Sequence, residues 1–267
     1  MLSARSVAVR PEFEISAVAC RSDHTRWSPP EVRGGHRVVL VRRGRFRRRC
    51  AGVTAELDAS LAYLGVPGEE ESFAHPCGGD LCTSISVAPE LWRTLAGERT
   101  EAGAVYVDPA LDLAHRRVLA AAGSGDADYA LAEELLALLA TAIARTATGP
   151  TPGAAATRDR ALVAAAREAI AADHPAAGTL LSLAELLGAS PYRLSRAFPR
   201  ELGVTVTHYR HRVRIGRALD RIEAGEPDLG GLAADLGYAD QAHFTRTLRR
   251  HTGQTPNALR RLLGPGR

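Results

Sequence analysis

Two short stretches near the C-terminal end of the chain place arginine side chains at matching positions. The stretches are residues 190–203 and 240–253, and a shift of fifty residues superimposes Arg196 on Arg246. An arginine guanidinium can donate two hydrogen bonds to the edge of a guanine, and a glutamine amide can pair in a similar way with adenine. The chemistry that these residue types support is therefore recognition of double-stranded DNA.

Each stretch has the pattern of a short helix. Ser190 and Asp240 are residue types that cap helix N-termini, and Gly203 and Gly253 are the type that most often follows a last turn. Between them, two apolar residues four positions apart would face the protein, which leaves the intervening arginine exposed. Both stretches are therefore predicted to be helices with one basic face.

The outward face of each predicted helix supplies the candidate DNA contacts. These candidates are Tyr192, Arg193, Ser195, Arg196, Arg200, Gln241, His243, Thr245, Arg246, Arg249 and Arg250. Because most hydrogen bonds from proteins to DNA go to the sugar-phosphate backbone, phosphate contact is the alternative role for every arginine. We prefer the phosphate role for Arg200, Arg249 and Arg250.

A second helical pattern precedes each stretch. Residues 179–188 and 228–237 match after a shift of forty-nine residues, and each begins with a capping residue and ends with a glycine. A helix, a tight turn and a second, recognition helix form a helix-turn-helix, and here the pattern occurs twice. Residues 206–222 have an apolar periodicity that predicts one helix of about 30 Å between the motifs, close to the roughly 34 Å of one turn of B-DNA.

Residues 158–263 resemble the DNA-binding half of the AraC/XylS-type transcription regulators. The similarity is densest over LGYADQAHFTRTLRRHTGQTP, which resembles the family signature of the second motif. The resemblance implies an all-α domain with two helix-turn-helix motifs over residues 158–267. It also implies base contacts at Tyr192, Ser195, Arg196, Gln241, His243 and Arg246.

Two features depart from the family pattern. Pro199 stands where a basic residue is usual, and a proline inside a helix removes a backbone hydrogen bond at a cost of about 3 kcal/mol. The first recognition helix is therefore predicted to be kinked or short. Gly230 and Gly231 weaken the helix that supports the second recognition helix, by roughly 1 kcal/mol each relative to alanine.

The N-terminal part of the chain has a different pattern. A length of 267 residues is sufficient for about two domains. Short apolar runs from about residue 12 to residue 90, separated by glycine, proline and acidic residues, predict a small antiparallel barrel or sandwich. In front of an AraC-type half, the resemblance implies a cupin-like effector-sensing domain over residues 1–107. The expected fold class is α+β, with an N-terminal cupin-like β-barrel, two following helices and a C-terminal all-α double helix-turn-helix domain.

Less common residue types near the predicted strand ends are candidates for binding a small-molecule effector. They are His24, Trp27, His36, Tyr63, Phe73 and His75. Such groups can orient a ligand within a largely apolar cavity, and the alternative for each is an ordinary place in the core or at the rim. The histidine pair of metal-dependent cupin enzymes is missing, because His24 is followed by Thr25 and Arg26. With no catalytic constellation in the chain, we expect no enzymatic activity and no resident metal or cofactor.

The segment HPCGGDLC suggests a second kind of sensor. His75, Cys77 and Cys82 could bind a thiophilic metal or respond to oxidation, and Cys50 could join them from a neighbouring strand. Their spacing matches no standard zinc pattern, and reduced thiols are the default in the cytoplasm. A metal- or thiol-redox-sensing transcription regulator is thus the alternative function. A DNA-repair enzyme on the same DNA-binding module would need a cysteine nucleophile in a zinc cluster, which the wide cysteine spacings disfavour.

Residues 108–147 have a helical pattern. Asp108 and Pro109 are typical of a helix start. The second helix has one apolar stripe, made of Leu131, Leu135, Leu138 and Ala142. The family resemblance implies that this helical pair forms a homodimer contact, and the alternative is that the stripe covers the barrel. Residues 148–157 are rich in glycine, proline and alanine, which predicts a flexible linker.

Charge separates the two halves of the chain. All 34 basic residues are arginine: residues 1–157 carry 17 of them with 19 acidic residues, and residues 158–267 carry 17 with 11 acidic residues. A basic C-terminal half favours contact with a polyanion there. The basic run at residues 42–49 could suggest a further DNA contact, but a hairpin with a solvated face is the simpler interpretation.

Targeting signals and partners complete these expectations. No segment has the pattern of a signal peptide, a lipid anchor or a membrane span, so we expect a cytoplasmic location. The expected partners are double-stranded DNA, an unidentified small-molecule effector and a second copy of the chain. RNA polymerase joins them if the regulator is an activator, and no contact with a membrane is expected.

Overall fold

The computed structural model describes residues 2–21, 25–97, 103–126, 128–146 and 157–264. An antiparallel sheet in the N-terminal part is followed by helices, so the predicted α+β class is confirmed. The chain forms two compact units, one of Met1–Val107 with Leu139–Val204 and the other of Asp108–Leu138 with Thr205–Arg267. The predicted division into domains stays a prediction.

The sheet contains nine strands among the described residues. They are β1 (Leu2–Arg10), β2 (Phe13–Cys20), β3 (Glu31–Val32), β4 (His36–Cys50), β5 (Val53–Asp58), β6 (Leu61–Gly65), β7 (Glu70–Ala74), β8 (Asp80–Val87) and β9 (Gly103–Tyr106). The main order is β1-β2-β8-β4-β6-β9, while β7 pairs with β3 and β4, and β5 pairs with β4. Every pairing is antiparallel, as the short alternating runs predict.

Strand β4 organises the sheet because it changes partners along its length. Residues 36–44 pair with β8, and residues 45–50 pair with β5. The change follows a register shift after Val41 and occurs at Gly44, whose φ of 76° lies in the left-handed region that favours glycine. The apolar residues enclosed by these strands, here called the sheet core, are Val39, Val41, Phe46, Leu57, Tyr63 and Cys82.

The helices confirm both helix-turn-helix motifs. They are α1 (Pro89–Ala96), α2 (Pro109–Ser124), α3 (Ala130–Thr146), α4 (Thr157–Ala171), α5 (Leu180–Leu186), α6 (Pro191–Leu202), α7 (Val206–Glu223), α8 (Leu229–Asp235), α9 (Gln241–Thr252) and α10 (Pro256–Leu263), with a 3-10 turn at Pro175–Gly178. The first motif is α5 with α6, and the second is α8 with α9. Ser190 and Asp240 act as N-caps, since their side chains accept hydrogen bonds from the backbone N–H groups of Arg193 and His243.

Pro199 does not shorten the first recognition helix. Helix α6 continues through Pro199 and has 12 residues, as α9 has, and both end at a glycine in the left-handed conformation. The prediction of a short helix is therefore wrong. Pro199 lies on the exposed side of α6, where water can satisfy the carbonyl group that has lost its donor.

The apolar stripe on α3 is buried within the chain. Leu131, Leu138 and Ala142 are 0% exposed and Leu135 is 1% exposed. The stripe therefore cannot supply a contact surface between two copies of the chain, and that part of the prediction is wrong. The periodicity correctly indicated burial, but a helical stripe packs in the same way against its own chain or against a partner. The homodimer itself stays a prediction.

Gly230 and Gly231 allow one carboxylate to cap two backbone N–H groups at the start of α8. The Asp228 carboxylate accepts hydrogen bonds from the N–H groups of both glycines, at 2.9 and 3.0 Å. A Cβ atom on Gly231 would lie 2.5 Å from Asp228 Oδ2, so a side chain there would displace the cap. The cost in helix propensity is therefore offset in part by the second capping hydrogen bond.

We expect Asp228→Ala to lower the free energy of unfolding by about 1 kcal/mol, the usual effect of losing an N-cap. Urea denaturation followed by circular dichroism measures this change. Asp228→Asn is the control, because its amide oxygen can still accept these hydrogen bonds. Equal stabilities for the alanine variant and the wild type would contradict the capping role.

Candidate functional site

The two recognition helices bury and expose matching positions. In α6 the buried side chains include Leu194 and Phe198, and in α9 they include Phe244 and Leu248. Each pair is four residues apart and therefore lies on one side of its helix. The opposite side of each helix faces solvent, as the repeat predicts.

All eleven candidate DNA contacts lie on these outward faces. Nine side chains are exposed: Tyr192, Arg193, Arg196, Arg200, Gln241, His243, Arg246, Arg249 and Arg250. Ser195 and Thr245 occupy equivalent positions in the repeat and are half-buried. On each helix the candidate side chains therefore face the same side and can contact one partner. Their individual roles in DNA recognition stay predictions.

Contacts within the first motif distinguish Arg193 from its neighbours. The Arg193 guanidinium forms an ion pair with Asp159 on α4, with Nε 3.0 Å and Nη2 2.9 Å from Oδ1. Both nitrogens share one carboxylate oxygen, and this half-exposed ion pair links α6 to α4. The guanidinium of Arg196 lies 5.6 Å from the ring centroid of Tyr192, which is 69% exposed. The Ser195 hydroxyl donates to the Tyr192 carbonyl at 2.9 Å.

The second motif keeps its arginines available. Among the described residues, Arg246, Arg249 and Arg250 form no ion pair with an acidic side chain. The rings of His243 and Tyr238 form a T-shaped pair with centroids 5.4 Å apart. Unpaired guanidinium groups on one face are suited to bind phosphate or a guanine edge.

Two histidines in the same unit add no charge to this surface near neutral pH. The rings of His211 and His251 stack with centroids 6.0 Å apart. Burial, and after it the positive charge of neighbours such as Arg250, lowers the pKa of both imidazoles. This histidine pair therefore adds little to the positive potential that the arginines create near α9.

A buried arginine joins the sheet to the helix that carries α6. Arg167 on α4 is 5% exposed, and its guanidinium forms an ion pair with Asp58 at 2.6 Å. It also donates to the Glu56 carbonyl at 3.2 Å and to the Ser60 hydroxyl at 3.3 Å. Beside it, Glu168 forms an ion pair with Arg45 of β4 at 2.6 Å. This contact was not predicted from the sequence. One signal was available, because Arg167 lies among the buried apolar residues of the amphipathic helix α4.

A second buried charge cluster holds α2 against α7. Asp112 accepts a hydrogen bond from Arg116 Nε at 3.1 Å and lies 3.4 Å from Arg212 Nη2. Arg116 also reaches Asp220 at 2.6 Å and Glu223 at 2.5 Å. All five side chains belong to one compact unit. No local pattern predicts this cluster, because its members on α2 and α7 are about one hundred residues apart.

The structure brings three of the six effector candidates together at the sheet core. Tyr63 belongs to the sheet core and Phe73 packs against it. The ring of Phe46 lies 6.0 Å from that of Phe73 and 5.8 Å from that of His75. Arg48 places its guanidinium 4.4 Å from the Tyr63 ring, and burial raises the pKa of that phenol.

The other effector candidates lie elsewhere or outside the described residues. Trp27 lies under the guanidinium of Arg49 at 4.7 Å. His36 stacks on Trp92 with centroids 4.4 Å apart, and burial lowers the pKa of its imidazole. His24 lies outside the described residues. Trp27 and His36 therefore do not join the sheet-core group through these contacts.

The set of His75, Cys77 and Cys82 does not form one metal site. Cys77 is exposed, and its Sγ accepts a hydrogen bond from Arg45 Nε at 2.8 Å. Cys82 is buried instead, donates to Asp80 Oδ2 at 3.1 Å, and has a pKa that burial and the Asp80 carboxylate raise. Cys50 is also buried, and burial raises its thiol pKa. Cys77 lies in the turn between β7 and β8, whereas Cys82 lies inside β8, which explains their separation.

The basic run at residues 42–49 belongs to the hairpin of β4 and β5. Its strands pair from Arg45 with Asp58 to Cys50 with Val53. Arg48 is buried and forms an ion pair with Glu71 at 2.6 Å. A hairpin is therefore present, but its turn follows Cys50 and does not lie at the glycine inside the run, and the buried Arg48 shows that its face is only partly solvated.

Comparison with known proteins assigns residues 183–262 to the family described as a helix-turn-helix domain. The chain is 32% identical over 84 residues to the bifunctional transcriptional activator/DNA repair enzyme AdaA of Bacillus subtilis. This match covers 32% of this chain and 40% of AdaA. The chain is 30% identical over 131 residues to the HTH-type transcriptional activator RhaR of Klebsiella pneumoniae. This match covers 49% of this chain and 46% of RhaR. The chain therefore spans less than half the length of each of these relatives.

Solved structures give a weaker likeness over a longer range. ToxT from Vibrio cholerae is similar over 95% of this chain and 99% of its own, with 12% identity and a TM-score of 0.39. That score is too low to support an argument about function. Within the described part of the chain, every helix is too short or too polar to cross a membrane.

Proposed function

We propose that this chain, whose residues 183–262 form an AraC-type helix-turn-helix domain, is a transcription regulator that binds specific sequences of double-stranded DNA. A small molecule bound in the N-terminal part controls it. One observation carries the DNA-binding part: two helices of equal length expose the same basic face, with Arg196 and Arg200 on one matched by Arg246 and Arg250 on the other.

The matched positions suggest a division of roles along each recognition helix. Arg196 and Arg246 lie in the first half of their helices, where a recognition helix usually contacts base edges. Arg200 and Arg250 lie in the last turns, where phosphate contact is the simpler role. Helix α7 has 18 residues and spans about 27 Å, which is compatible with two recognition helices in successive major grooves.

The proposed signal path from sensor to DNA runs through α4. Arg167 attaches α4 to the end of β5 and the turn after it, and Glu168 attaches α4 to β4. Asp159 attaches α4 to Arg193 of α6. These contacts form a continuous chain from the sheet to the first recognition helix. A ligand changes DNA binding only if it favours one arrangement of these elements over another. The sheet core beside Tyr63, Phe73 and His75 is the proposed place for that ligand.

We include further partners in the proposal. A homodimer would pair two recognition surfaces, and the outward side of α3, where Leu136 is 40% exposed, is the face of that helix still open to a partner. RNA polymerase is a partner if the regulator is an activator, and the proposed location is the cytoplasm. AdaA carries a DNA-repair activity in its name, but the match covers 40% of that protein, and we propose no enzymatic activity for this chain.

Selection from a random double-stranded DNA pool tests the proposed function with the full-length protein. We expect a recurring sequence to be enriched and its affinity to fall steeply with salt, because arginine contacts with phosphate release counterions. Mapping of bound sites in the source genome would then connect the sequence to target genes. A pool that stays random after repeated selection by folded protein would overturn the proposal.

We expect Arg246→Ala to cost about 1–3 kcal/mol in binding to the selected sequence and to relax preference at one base pair. The reason is the loss of a bidentate contact with a base edge. Fluorescence anisotropy with the selected site and its single-base variants measures this effect.

Arg250→Ala is the matched control for that measurement. It should weaken all sites by a similar factor and reduce the salt dependence, because a phosphate contact is independent of sequence. A uniform loss for Arg246→Ala would assign Arg246 to phosphate instead.

A further inference from the structure

The polar residues at the edge of the sheet core converge on one buried carboxylate. Asp80 begins β8, and its side chain is 3% exposed. Its Oδ1 lies 2.5 Å from Nδ1 of His75, and its Oδ2 accepts a hydrogen bond from Cys82 Sγ at 3.1 Å. A buried carboxylate is costly unless it is paired or coordinates a metal ion. Among the described residues, no arginine forms an ion pair with it.

A second thiol completes the group from the neighbouring strand. Cys20 ends β2 directly opposite Asp80 in the antiparallel register. The ligand atoms of Cys20, His75 and Asp80 all lie within 4.8 Å of one another. Cys82 is two residues beyond Asp80 and therefore lies on the same face of β8. Cys82 Sγ lies outside this group of three ligand atoms and joins it through its contact with Asp80 Oδ2, 3.1 Å away.

The backbone around this group is tightly constrained. Gly79 has a φ of 99°, and a Cβ atom there would lie 2.2 Å from the Cys20 carbonyl oxygen. Gly44 has a φ of 76°, and its Cβ atom would lie 2.3 Å from the Gly79 carbonyl oxygen. Only glycine permits these close approaches without movement of the backbone. Sites built on such closely packed strands hold their side chains with little freedom, as metal binding requires.

We infer that Cys20, His75, Asp80 and Cys82 form a site for a thiophilic divalent metal ion, with Zn²⁺ as the probe that fits best. Zinc prefers four ligands from cysteine, histidine and carboxylate groups, at about 2.3 Å to sulfur and about 2.0–2.2 Å to nitrogen and oxygen. Ligand atoms around such an ion stand roughly 3.3–3.8 Å apart, so side-chain rotations, that of Cys82 included, must draw the ligand atoms together when the ion binds. Both cysteines release their protons when they bind the ion, and His75 provides one ring nitrogen.

This site differs from the set suggested by the HPCGGDLC segment alone. Cys77 is exposed beside Arg45 and takes no part, whereas Cys20 and Asp80 replace it. Cys20 is more than fifty residues away from His75 in the sequence, so no local motif indicates it. The inference does not depend on DNA binding, since metal content can be measured without DNA.

Zinc content of the full-length protein is the decisive measurement. The reduced protein is stripped with a chelator, mixed with Zn²⁺, desalted and analysed by plasma mass spectrometry. We expect one zinc ion per chain and a higher unfolding temperature of the zinc-bound form, because the ion binds only the folded state. Substitution with Co²⁺ should produce a thiolate-to-metal charge-transfer band in the near ultraviolet.

Single substitutions identify the ligands. Loss of a residue that only supports a metal ligand typically weakens metal binding by about 10–100-fold. We expect a larger loss of zinc affinity in each of three variants, Cys20→Ser, His75→Ala and Cys82→Ser. Cys50→Ser and Cys77→Ser are the matched controls and should keep full zinc content. Circular dichroism shows whether each variant is folded.

Several outcomes would overturn the inference. One is wild-type protein that binds no zinc and shows no thiolate band with Co²⁺, which would make the cluster a hydrogen-bonded pair of His75 and Asp80 with a nearby thiol. Another is full zinc content in a folded Cys20→Ser variant. A third is loss of zinc in Cys77→Ser with retention in Cys20→Ser, which would restore the set of His75, Cys77 and Cys82. If Cys20→Ser does not fold, the wild-type cobalt spectrum decides between the first outcome and the inference.

Discussion

Asp112→Ala is expected to lower the free energy of unfolding by about 3–5 kcal/mol, the usual effect of removing one partner from a buried ion pair. Asp112 is the carboxylate that Arg116 and Arg212 share between α2 and α7. Without it, two buried guanidinium groups face each other with less negative charge between them. Urea denaturation of the full-length protein measures the loss, and hydrogen exchange locates it in α2 and α7.

Asp235→Ala is the matched control for this substitution. Asp235 forms an ion pair with Arg221, but its side chain is 61% exposed, so solvent screens the pair and the change should have little effect. Similar losses for both variants would show that the α2–α7 cluster has no special role. Asp112→Asn separates charge from shape, because it keeps the size of the side chain.

The same carboxylate predicts a dependence of stability on pH. Burial opposes ionisation of Asp112, but Arg212 and Arg116 outweigh it and hold the carboxyl pKa below its ordinary value. A carboxyl group with a lowered folded pKa stabilises the protein fully above its unfolded pKa of about 4, and this contribution is lost as pH falls through the folded value. The difference in the free energy of unfolding between Asp112→Ala and the wild type should therefore become smaller as the pH falls below about 4.

Arg167→Met is expected to cost about 3 kcal/mol of folding free energy, at the lower end of the range for a broken buried pair. The substitution leaves Asp58 without its guanidinium partner, although the Ser60 hydroxyl and N–H still donate to that carboxylate. It also removes the link between the turn after β5 and α4. Thermal and urea unfolding of the full-length protein measure the stability, and DNA titration measures whether the recognition helices still function.

Arg93→Met makes the same chemical change at an exposed position of the same compact unit. We expect it to match the wild type in both measurements. If Arg167→Met also unfolds like the wild type, the contact between the sheet and α4 is not a stable part of the molecule. The proposed path from the sensor to α6 would then lose its first step.

Much of the DNA-binding part could be predicted because its signals are local. The caps at Ser190 and Asp240 and the left-handed glycines at Gly203 and Gly253 are set by residues within one or two turns. The outward faces of α6 and α9 follow from the helical period alone. The error at Pro199 came from counting a lost hydrogen bond without knowing that it lies on the exposed side of the helix.

The sequence by itself determined the repeat, the helix ends, the antiparallel strands and the concentration of positive charge in the C-terminal half. Tertiary structure alone decided that the α3 stripe is buried, that Arg167 meets Asp58, and that Cys20 replaces Cys77 beside His75. The physical reason is the range of the interactions. Hydrogen bonds of helices and turns join near neighbours in the chain, whereas the partner of a buried charge or thiol comes from a distant segment that only the folded backbone brings within a few ångströms.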